Sequence, residues 1–543
     1  MNGAGGGKLD ATDYAIISQA LIAGAREMGT KLIRSAYSAI LREARDGATA
    51  LLDRHGNVIA QSELIPMHLG TMGDVIRPCL DLYPIETLAD GDFLISNDPY
   101  CGGQHLNDIF IFSPVFVEGR VVAFAGACAH HLDIGGVGET RIGLDLYSEG
   151  LRLPPMRFNV DRDWNGGALE RLIEANVRVS DQILGDLNAQ FAANAVGIAR
   201  VQSLCAKYGT ASVLRSMSDL LDYSENRIRM AIAEVPDGVY EGEDFIDNGN
   251  GDPLPVRAAV TIKGDTLHID FTGSHPQVAH NINSPFASTY TAAFSCAKMV
   301  LTSADIPLNE GMKRPFTVTA PLGSILNPRM PAAVRARMTP TNRAFSAVMK
   351  ALAKVVPDKV VAGGGDTTTC WSVSYHDGRT LSMMVEPIGC GRGAAPNRDG
   401  VDAVAVALGN CANTPIEVID AGYRFFEMTG YRLLPGTGGA GRYRGGAGFC
   451  RELDILEDGV EFSIYSDHFV EGPAGLEGGG PGTPGYCRIY RNNELIELPS
   501  TATFILRKGD RVEVGTSGGG GYGDPAERAP SSVEADIRNG MVV

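Results

Sequence analysis

Residues 97–108 read NDPYCGGQHLND and residues 128–136 read CAHHLDIGG, so two short segments hold Asp98, Asp108 and Asp133 with three of the chain's ten histidines, His105, His130 and His131. Imidazole nitrogens mixed with carboxylate oxygens suit zinc, manganese or iron, and an oxygen-rich set tilts away from a closed thiolate site. His105-x-x-Asp108 offers one nitrogen and one oxygen from a single loop, and His130 or His131 offers a second nitrogen. Three or four such ligands with one position open would hold a divalent ion and activate water. The competing reading is that these side chains cap turns and satisfy loop backbone groups. Cys101 and Cys128 fall in the same segments, but a nucleophilic cysteine needs a lowered pKa, and a buried inert thiol is the ordinary case.

Such loops need rigid supports. DFLIS (92–96), DIFIFSPVFV (108–117) and VVAFAGACA (121–129) are short, apolar and rich in branched or aromatic residues. That predicts buried strands with NDPYCGGQHLN and HHLDIGG as the loops between them. TALLDRHGNVIAQ (49–61) predicts a hairpin that turns at His55-Gly56-Asn57. Upstream, Ile17, Leu21, Ala25, Met28, Leu32, Ala36 and Ile40 recur every three or four residues, one apolar stripe along a helix within residues 12–45, capped by Asp10 or Thr12. From about Ala168 to Glu234 the helical period returns through Leu169, Leu172, Ile173, Ile183, Leu187, Phe191, Leu214, Met217, Leu220 and Leu221. After PDGVYEGEDFIDNGNG (236–251) come strands in AAVTIKGDTLHIDFTG (258–273), helical patterning near 286–303 and 342–355, and from about Ile416 strands alternating with Gly-rich turns. The expected fold class is therefore mixed α and β (α+β) and multidomain. Its parts are an N-terminal helix with a β-rich metal-site domain (1–165), a helical subdomain (166–236), an α/β domain (237–415) and a β-rich, Gly-rich C-terminal domain (416–543).

The bulk properties remove several function classes. A formal charge of −17 over 543 residues argues against a general nucleic-acid binder or a polybasic membrane binder, leaving room for local basic pockets only. The opening MNGAGGGKLD has no apolar core of a signal peptide and no apolar run reaches the ~18 residues of a membrane span, so the expected compartment is the cytoplasm. Ten cysteines without a C-x-x-C pair disfavour thiolate zinc and thioredoxin-like chemistry. GTGGAGRYRGGAG (436–448) and GTSGGGGYGDP (515–525) are not followed by helical patterning, and GAREMGTK (24–31) has Thr30 where a P-loop needs lysine. The chain is thus not expected to bind ATP by a P-loop, and tight turns and close backbone packing account for the glycines. Gly515-Thr516-Ser517-Gly518-Gly519 fits G-x-S-x-G, but no histidine follows His468 to complete a triad. GCGRGAAP (389–396) is a lone glycine pattern, although Arg392 and Arg398 could meet an anion.

NDPYCGGQHLNDIFIFSPVF resembles the N-D-P-Y-x-G-G-x-H-x-x-D signature of the hydantoinase B/oxoprolinase family, and AHHLDIGG resembles its companion A-H-x-x-D-[IV]-G-G. EARDGATALLDRHGNVIAQ, IPMHLGTM, LGDLNAQ, DFTGSHPQ, RPFTVTAPLGSILNPRMPAAV, GGAGRYRGGAG and GGGGYGDPAERAPSSVEADIRNG extend the likeness, in the family's order, over nearly the whole chain. The resemblance implies a β-type subunit that works in a hetero-oligomer with a hydantoinase A-type, ATP-using subunit on a small cyclic amide. Relatives include ATP-dependent hydantoinases, 5-oxoprolinase and lactamases. It implies one divalent metal held by Asp46, His105, Asp108 and His130, ATP used by the partner, and no other cofactor on this chain. His131, Asp133, Asp98 and His68 are then candidates for supporting or proton-transfer roles. Where the family often has D-F-S, this chain has Asp46-Gly47-Ala48, which keeps the ligand and alters its surroundings. The implied activity is metal-dependent attack on a carbonyl phosphorylated by the partner. A subunit of an acetone or acetophenone carboxylase type is the alternative, and a non-catalytic structural subunit is the second.

Overall fold

The apolar runs around the two loops form one six-stranded antiparallel sheet. Its strands are β1 (Gly47–Asp53), β2 (Val58–Gln61), β3 (Asp92–Ser96), β4 (Asp108–Val117), β5 (Arg120–His130) and β6 (Met156–Asn159), in the order β2-β1-β5-β4-β3-β6. The structure, a computed structural model, describes residues 10–138, 143–247, 252–303, 305–365 and 369–541. The glycines of the opening MNGAGGGKL and the NGNG of 248–251 lie outside the described residues. Both faces of the sheet are covered, which is why its central strands read as unbroken apolar runs. Ala125 and Ala129 of β5 face the helices Ala11–Ser35 and Ser180–Tyr208, whereas Phe124 and Cys128 face the helix Met72–Leu82.

The first helix is shorter than its stripe predicts. Asp10 caps it by accepting from the Thr12 amide, and Ile17, Leu21, Ala25, Met28 and Leu32 are buried as expected, but it ends at Ser35. The amides of Tyr37 and Ser38 are captured by Asp186 Oδ1 at 2.7 and 3.2 Å, which pulls the chain out of the helix. Ser38 then caps a separate turn, Ala39–Arg42, that carries Ile40. The expected helical middle is the set Ala168–Asn176, Ser180–Tyr208 and Thr210–Ala233.

A second sheet comprises β7 (Gly238–Ile246), β8 (Leu254–Lys263), β9 (Thr266–Asp270) and β10 (Phe316–Thr319), ordered β10-β9-β8-β7, with only the β9/β10 pair parallel. β7 lies in VYEGEDFI, ahead of where the strands were expected, because its half-exposed residues give little apolar signal. The helices Phe286–Leu301 and Met338–Ala353 contribute to the core beneath this sheet. A Cβ added at Gly242 would collide with the Ala347 carbonyl, so glycine permits that contact.

The remaining strands are β11 (Thr369–His376), β12 (Leu381–Ile388), β13 (Phe426–Leu433), β14 (Phe449–Ile455), β15 (Val460–Tyr465), β16 (Tyr486–Arg491), β17 (Glu494–Leu498), β18 (Thr501–Leu506) and β19 (Arg511–Gly515). They form sheets ordered β12-β11-β15-β18 and β13-β14-β19-β16-β17, packed through Trp371, Phe426, Phe449 and Phe462. Hydrogen bonding in the first of these runs across residue 416, expected as a domain limit. Two helices, Ile416–Gly422 and Pro530–Arg538, stand in a stretch expected to hold strands and turns alone; Pro530 at the first helical position presets the second. Between the sheets, glycine-rich runs pack backbone to backbone, as with Gly391 N donating to Ser517 O at 2.9 Å, Gly519 N to Gly446 O at 2.8 Å and Gly520 N to Gly363 O at 2.7 Å. All ten cysteines are free thiols. No helix among the described residues is long and apolar enough to cross a membrane.

Candidate metal centre

Strand register brings three of the expected residues to one edge of the first sheet. Asp108 opens β4 and His130 closes β5, and the two are direct cross-strand partners. Next to them Gly47 pairs with Ala129, and the His130 amide donates to the Asp46 carbonyl at 3.0 Å, which delivers Asp46 from the start of β1. His105 reaches the same point because the loop turns back, the Asp108 amide donating to the His105 carbonyl at 3.2 Å. Asn97 fixes that loop: its amide nitrogen donates to Leu106 O and Leu151 O, and its oxygen accepts from the Leu153 amide.

The donor atoms converge. His105 Nε2 lies 3.0 Å from Asp108 Oδ1, His130 Nδ1 lies 3.3 Å from the same oxygen, and the two nitrogens are 3.1 Å apart. With metal–ligand bonds of ~2.1 Å, adjacent ligand atoms at octahedral or tetrahedral angles are roughly 3.0–3.4 Å apart, so the triangle has the dimensions of a ligand set. Asp108 Oδ1 is buried and accepts no well-formed hydrogen bond despite those two nitrogens, which suits an atom awaiting a cation. Asp46 stands at the rim, its Oδ2 3.9 Å from His130 Nδ1 and its Oδ1 3.1 Å from His68 Nε2. Among the described residues His68, Asp108 and Cys128 also cluster, but burial, reinforced by Asp108 and Asp46, pushes the Cys128 thiol well above its ordinary pKa and keeps it protonated. Cys101 is likewise pushed up to about 11 by burial and Asp98, so neither cysteine is an activated nucleophile.

Charge prepares the same atoms. Burial alone would oppose ionisation of Asp108, yet His105, Arg337 and His68 hold its carboxyl well below the usual range. Burial opposes Asp46 too, and the hydrogen bond from His68 with the charge of His130 outweighs it. Burial and then the Arg337 guanidinium push His105 down to about 4, leaving a neutral imidazole. Ionised carboxylates with neutral histidine are the protonation states that bind a divalent ion.

Three residues that sequence spacing could not single out hold the cluster in shape. Buried Arg337 donates to Asp108 Oδ2 at 2.7 Å, leaving Oδ1 to the site, and to Gln104 Oε1 at 3.2 Å. Gln104 in turn donates to Met67 O at 2.7 Å and meets His68 Nδ1 at 3.1 Å. Gln190 of the LGDLNAQ stretch donates to Ile109 O and Ala127 O, tying β4 to β5 just behind their ligand ends. Arg337 stands at the N-terminal edge of the Met338–Ala353 helix between Arg335 and Arg343, so nothing in the sequence set it apart from its neighbours.

Of the four supporting candidates, only His68 sits among the candidate ligands. His131 points the other way, with Nε2 3.1 Å from Gln190 Oε1. Asp98 accepts from the Tyr100 amide and pairs with Arg152, and Asp133 accepts from the Gly135 amide and pairs with Arg178. Position 47 is closely filled, since a Cβ on Gly47 would lie 2.9 Å from Leu41 Cδ1 and 3.0 Å from Cys128 O, so the D-F-S variant has no room here. Asp46, His68, His105, His130 and Arg337 share a cavity of about 40 Å³ whose other walls include Ile65, Met67, Met338, Leu408 and Tyr465.

Residues 10–525 match the family model described as hydantoinase B/oxoprolinase. The chain is 32% identical to the B component of a putative D-/L-hydantoinase from Pseudomonas sp. strain NS671, covering 98% of this chain and 93% of that one. The crystal structure of the ATP-dependent caprolactamase from Pseudomonas jessenii superposes with a TM-score of 0.91 at 28% identity, over 99% of this chain and 95% of that one. A nucleotide-free acetone carboxylase chain shares the fold, with a TM-score of 0.89 at 20% identity over 98% of this chain and 78% of that one.

Proposed function

The chain belongs to the hydantoinase B/oxoprolinase family, and from that premise we propose that it is the metal-dependent, ring-opening subunit of an ATP-dependent cyclic amide hydrolase. One observation carries the reading: His105 Nε2 and His130 Nδ1 converge on a buried Asp108 oxygen that accepts no well-formed hydrogen bond among the described residues. Asp46, His105, Asp108 and His130 would hold the ion. A bound divalent ion supplies Lewis acidity that brings water within reach of deprotonation near neutral pH.

An unstrained amide carbonyl is a poor electrophile, which is why a partner that spends ATP on phosphorylating its oxygen makes chemical sense. Hydroxide then adds to the ring carbon, and collapse of the adduct breaks the C–N bond and releases the amine. The resulting acyl phosphate takes up a second water to give carboxylate and phosphate. In this scheme Arg337 orients Asp108, His68 and Gln104 orient Asp46, and the apolar wall keeps bulk water from the reacting carbon. A cavity of about 40 Å³ accepts a water but not a ring, so Met67 and Met338, with their flexible thioether chains, must yield to admit substrate.

The test is elemental analysis of the purified chain beside His105→Ala and His130→Ala, with circular dichroism to confirm folding. Near-stoichiometric metal in the wild type and its loss from both folded variants is the expected result. Ring opening of a hydantoin, 5-oxoproline or a lactam, assayed with ATP and the partner subunit, should fall at least ~10²-fold with the metal. A wild type that takes up no manganese, zinc or iron, alone or with the partner, defeats the proposal.

A further inference from the structure

A second concavity is lined by chain neighbours of the residues that line the candidate metal cavity, with no lining residue in common. It has a volume of about 500 Å³ and is lined by Arg26, Arg34, Arg42 and Arg45 with a single carboxylate, Glu63. Its walls alternate along the chain with those of the metal cavity: Arg42 follows Ile40, Arg45 precedes Asp46, and Leu64 precedes Ile65. Arg42 is taken by its neighbour Glu43 at 2.7 Å, and Arg26 meets Glu63 at 3.5 Å in an exposed, weak pair. Arg34 and Arg45 meet no carboxylate among the described residues. In a chain of net charge −17, a cleft whose four arginines meet only Glu43 and Glu63 among the described residues keeps a local positive excess.

Arg45 is also held in the left-handed region, at φ 62°. Side chains other than glycine adopt that conformation at a cost, and such residues concentrate at functional sites. Here the turn serves both cavities at once: the Asp46 amide donates to Ile40 O at 3.1 Å and the Gly47 amide to Arg45 O at 2.9 Å, so Arg45 lines the cleft while Asp46 lines the metal cavity.

We propose that the arginine cleft is a phosphoryl-binding subsite next to the metal centre, engaged chiefly by Arg34 and Arg45. Guanidinium forks match phosphate oxygens in geometry and charge, and the volume suits a small molecule rather than a protein segment. The proposal rests on the ring-opening reading above for its role, since the phosphoryl group is either that of the activated amide on arrival or the free phosphate that leaves. It does not rest on that reading for its existence.

Inorganic phosphate titrated into the purified chain by calorimetry therefore tests it directly, using wild type, Arg34→Ala/Arg45→Gly and His105→Ala. Glycine at 45 keeps the left-handed turn, so folding is preserved while the guanidinium is lost. Saturable binding that weakens at least 10-fold in the double variant and is retained in His105→Ala is the expected result. That outcome would stand even if the metal test above failed. Absence of saturable binding, or equal affinity in the double variant, overturns the proposal. So does unchanged phosphate affinity accompanied by lost assembly with the partner, which would make the cleft a protein interface. In the assembled enzyme the two sources separate: ATP hydrolysis uncoupled from ring opening marks the activated amide as the occupant, whereas intact coupling with weaker product inhibition by phosphate marks the leaving phosphate.

Discussion

Asp108 bears a full charge in a fully buried position, and two cations can answer it: the Arg337 guanidinium on Oδ2 and an ion held through Oδ1. Removing one partner of a buried ion pair costs ~3–5 kcal/mol, because the remaining charge stays buried and unpaired. Arg337→Met should therefore destabilise chelator-treated protein by about that much, and metal-saturated protein by clearly less. Urea unfolding with and without metal reads the difference, and an equal loss in both states would mean that Asp108 does not share its charge with an ion. The contrast between Arg337 and the ligands shows what the sequence could reveal. His105 and Asp108 were legible because residue type and short spacing already describe a donor pair, with His130 or His131 as the next nitrogen, and the family likeness chose His130 and added Asp46. Arg337 joins Asp108 across 229 residues and carries no motif, so only the packed structure brings it into view. The choice between adjacent His130 and His131 follows from the strand end, where neighbouring residues point to opposite faces: His130 meets His105 and His131 meets Gln190.

The elements act as clamps on these residues. Asp186 ends the first helix early and sets the turn that leads to Asp46, while Gln190, one helical turn later, braces β4 and β5. Helix periodicity marked both positions as helical but said nothing of the side-chain oxygens that break the neighbouring helix. A further clamp joins the Met338–Ala353 helix to the end of β15. There Arg343 donates to Asp467 Oδ2 at 2.9 Å and to His468 Nε2, while His468 Nδ1 donates to Glu471 O at 2.7 Å. Both contacts require a neutral imidazole, and burial followed by Arg343 pushes His468 down to about 3. Against an unfolded value of ~6.5, this group stabilises the fold above that pH and loses its contribution as pH falls toward 3. Asp467 runs the other way: burial raises it to about 6, so its contribution is present below the unfolded value of ~3.9 and fades as pH rises through 6. The two offset each other between pH ~4 and ~6. His468→Gln should unmask Asp467, so that over this range the variant loses less stability on acidification than wild type, by up to ~1.4 kcal/mol per pH unit. Denaturant titrations at pH 5 and 7 measure it, and parallel pH dependence of the two proteins would refute a neutral buried His468.

On the scale of the whole molecule, the candidate metal centre is roofed by the β12-β11-β15-β18 sheet, through Cys370 of β11, Pro387 of β12 and Tyr465 of β15. What holds that roof is the glycine packing. β12 runs directly into residues 389–394, where Gly391 N donates to Ser517 O and Gly365 N donates back to Gly391 O, each at 2.9 Å. The glycine content predicted close backbone packing, but a run without side chains has no period or polarity to say which run it meets, so the pairing was not legible. A Cβ at Gly391 would collide with the Gly446 carbonyl and the Gly519 amide, and neither partner is a side chain that can swing away. Gly391→Ala should therefore destabilise by ~1–3 kcal/mol as an overpacked contact and shift β12 with it. Gly422, which ends the Ile416–Gly422 helix with open space where its Cβ would lie, supplies the contrast: Gly422→Ala should be neutral or stabilising by up to ~1 kcal/mol. Thermal unfolding separates the two variants. Because Pro387 sits one residue before the end of β12, metal content and ring-opening rate should fall in Gly391→Ala even where the protein is still folded, and stay unchanged in Gly422→Ala. Equal stability of the two variants would show that the glycine runs are spacers and not the frame that seats the roof over Asp46, His105 and His130.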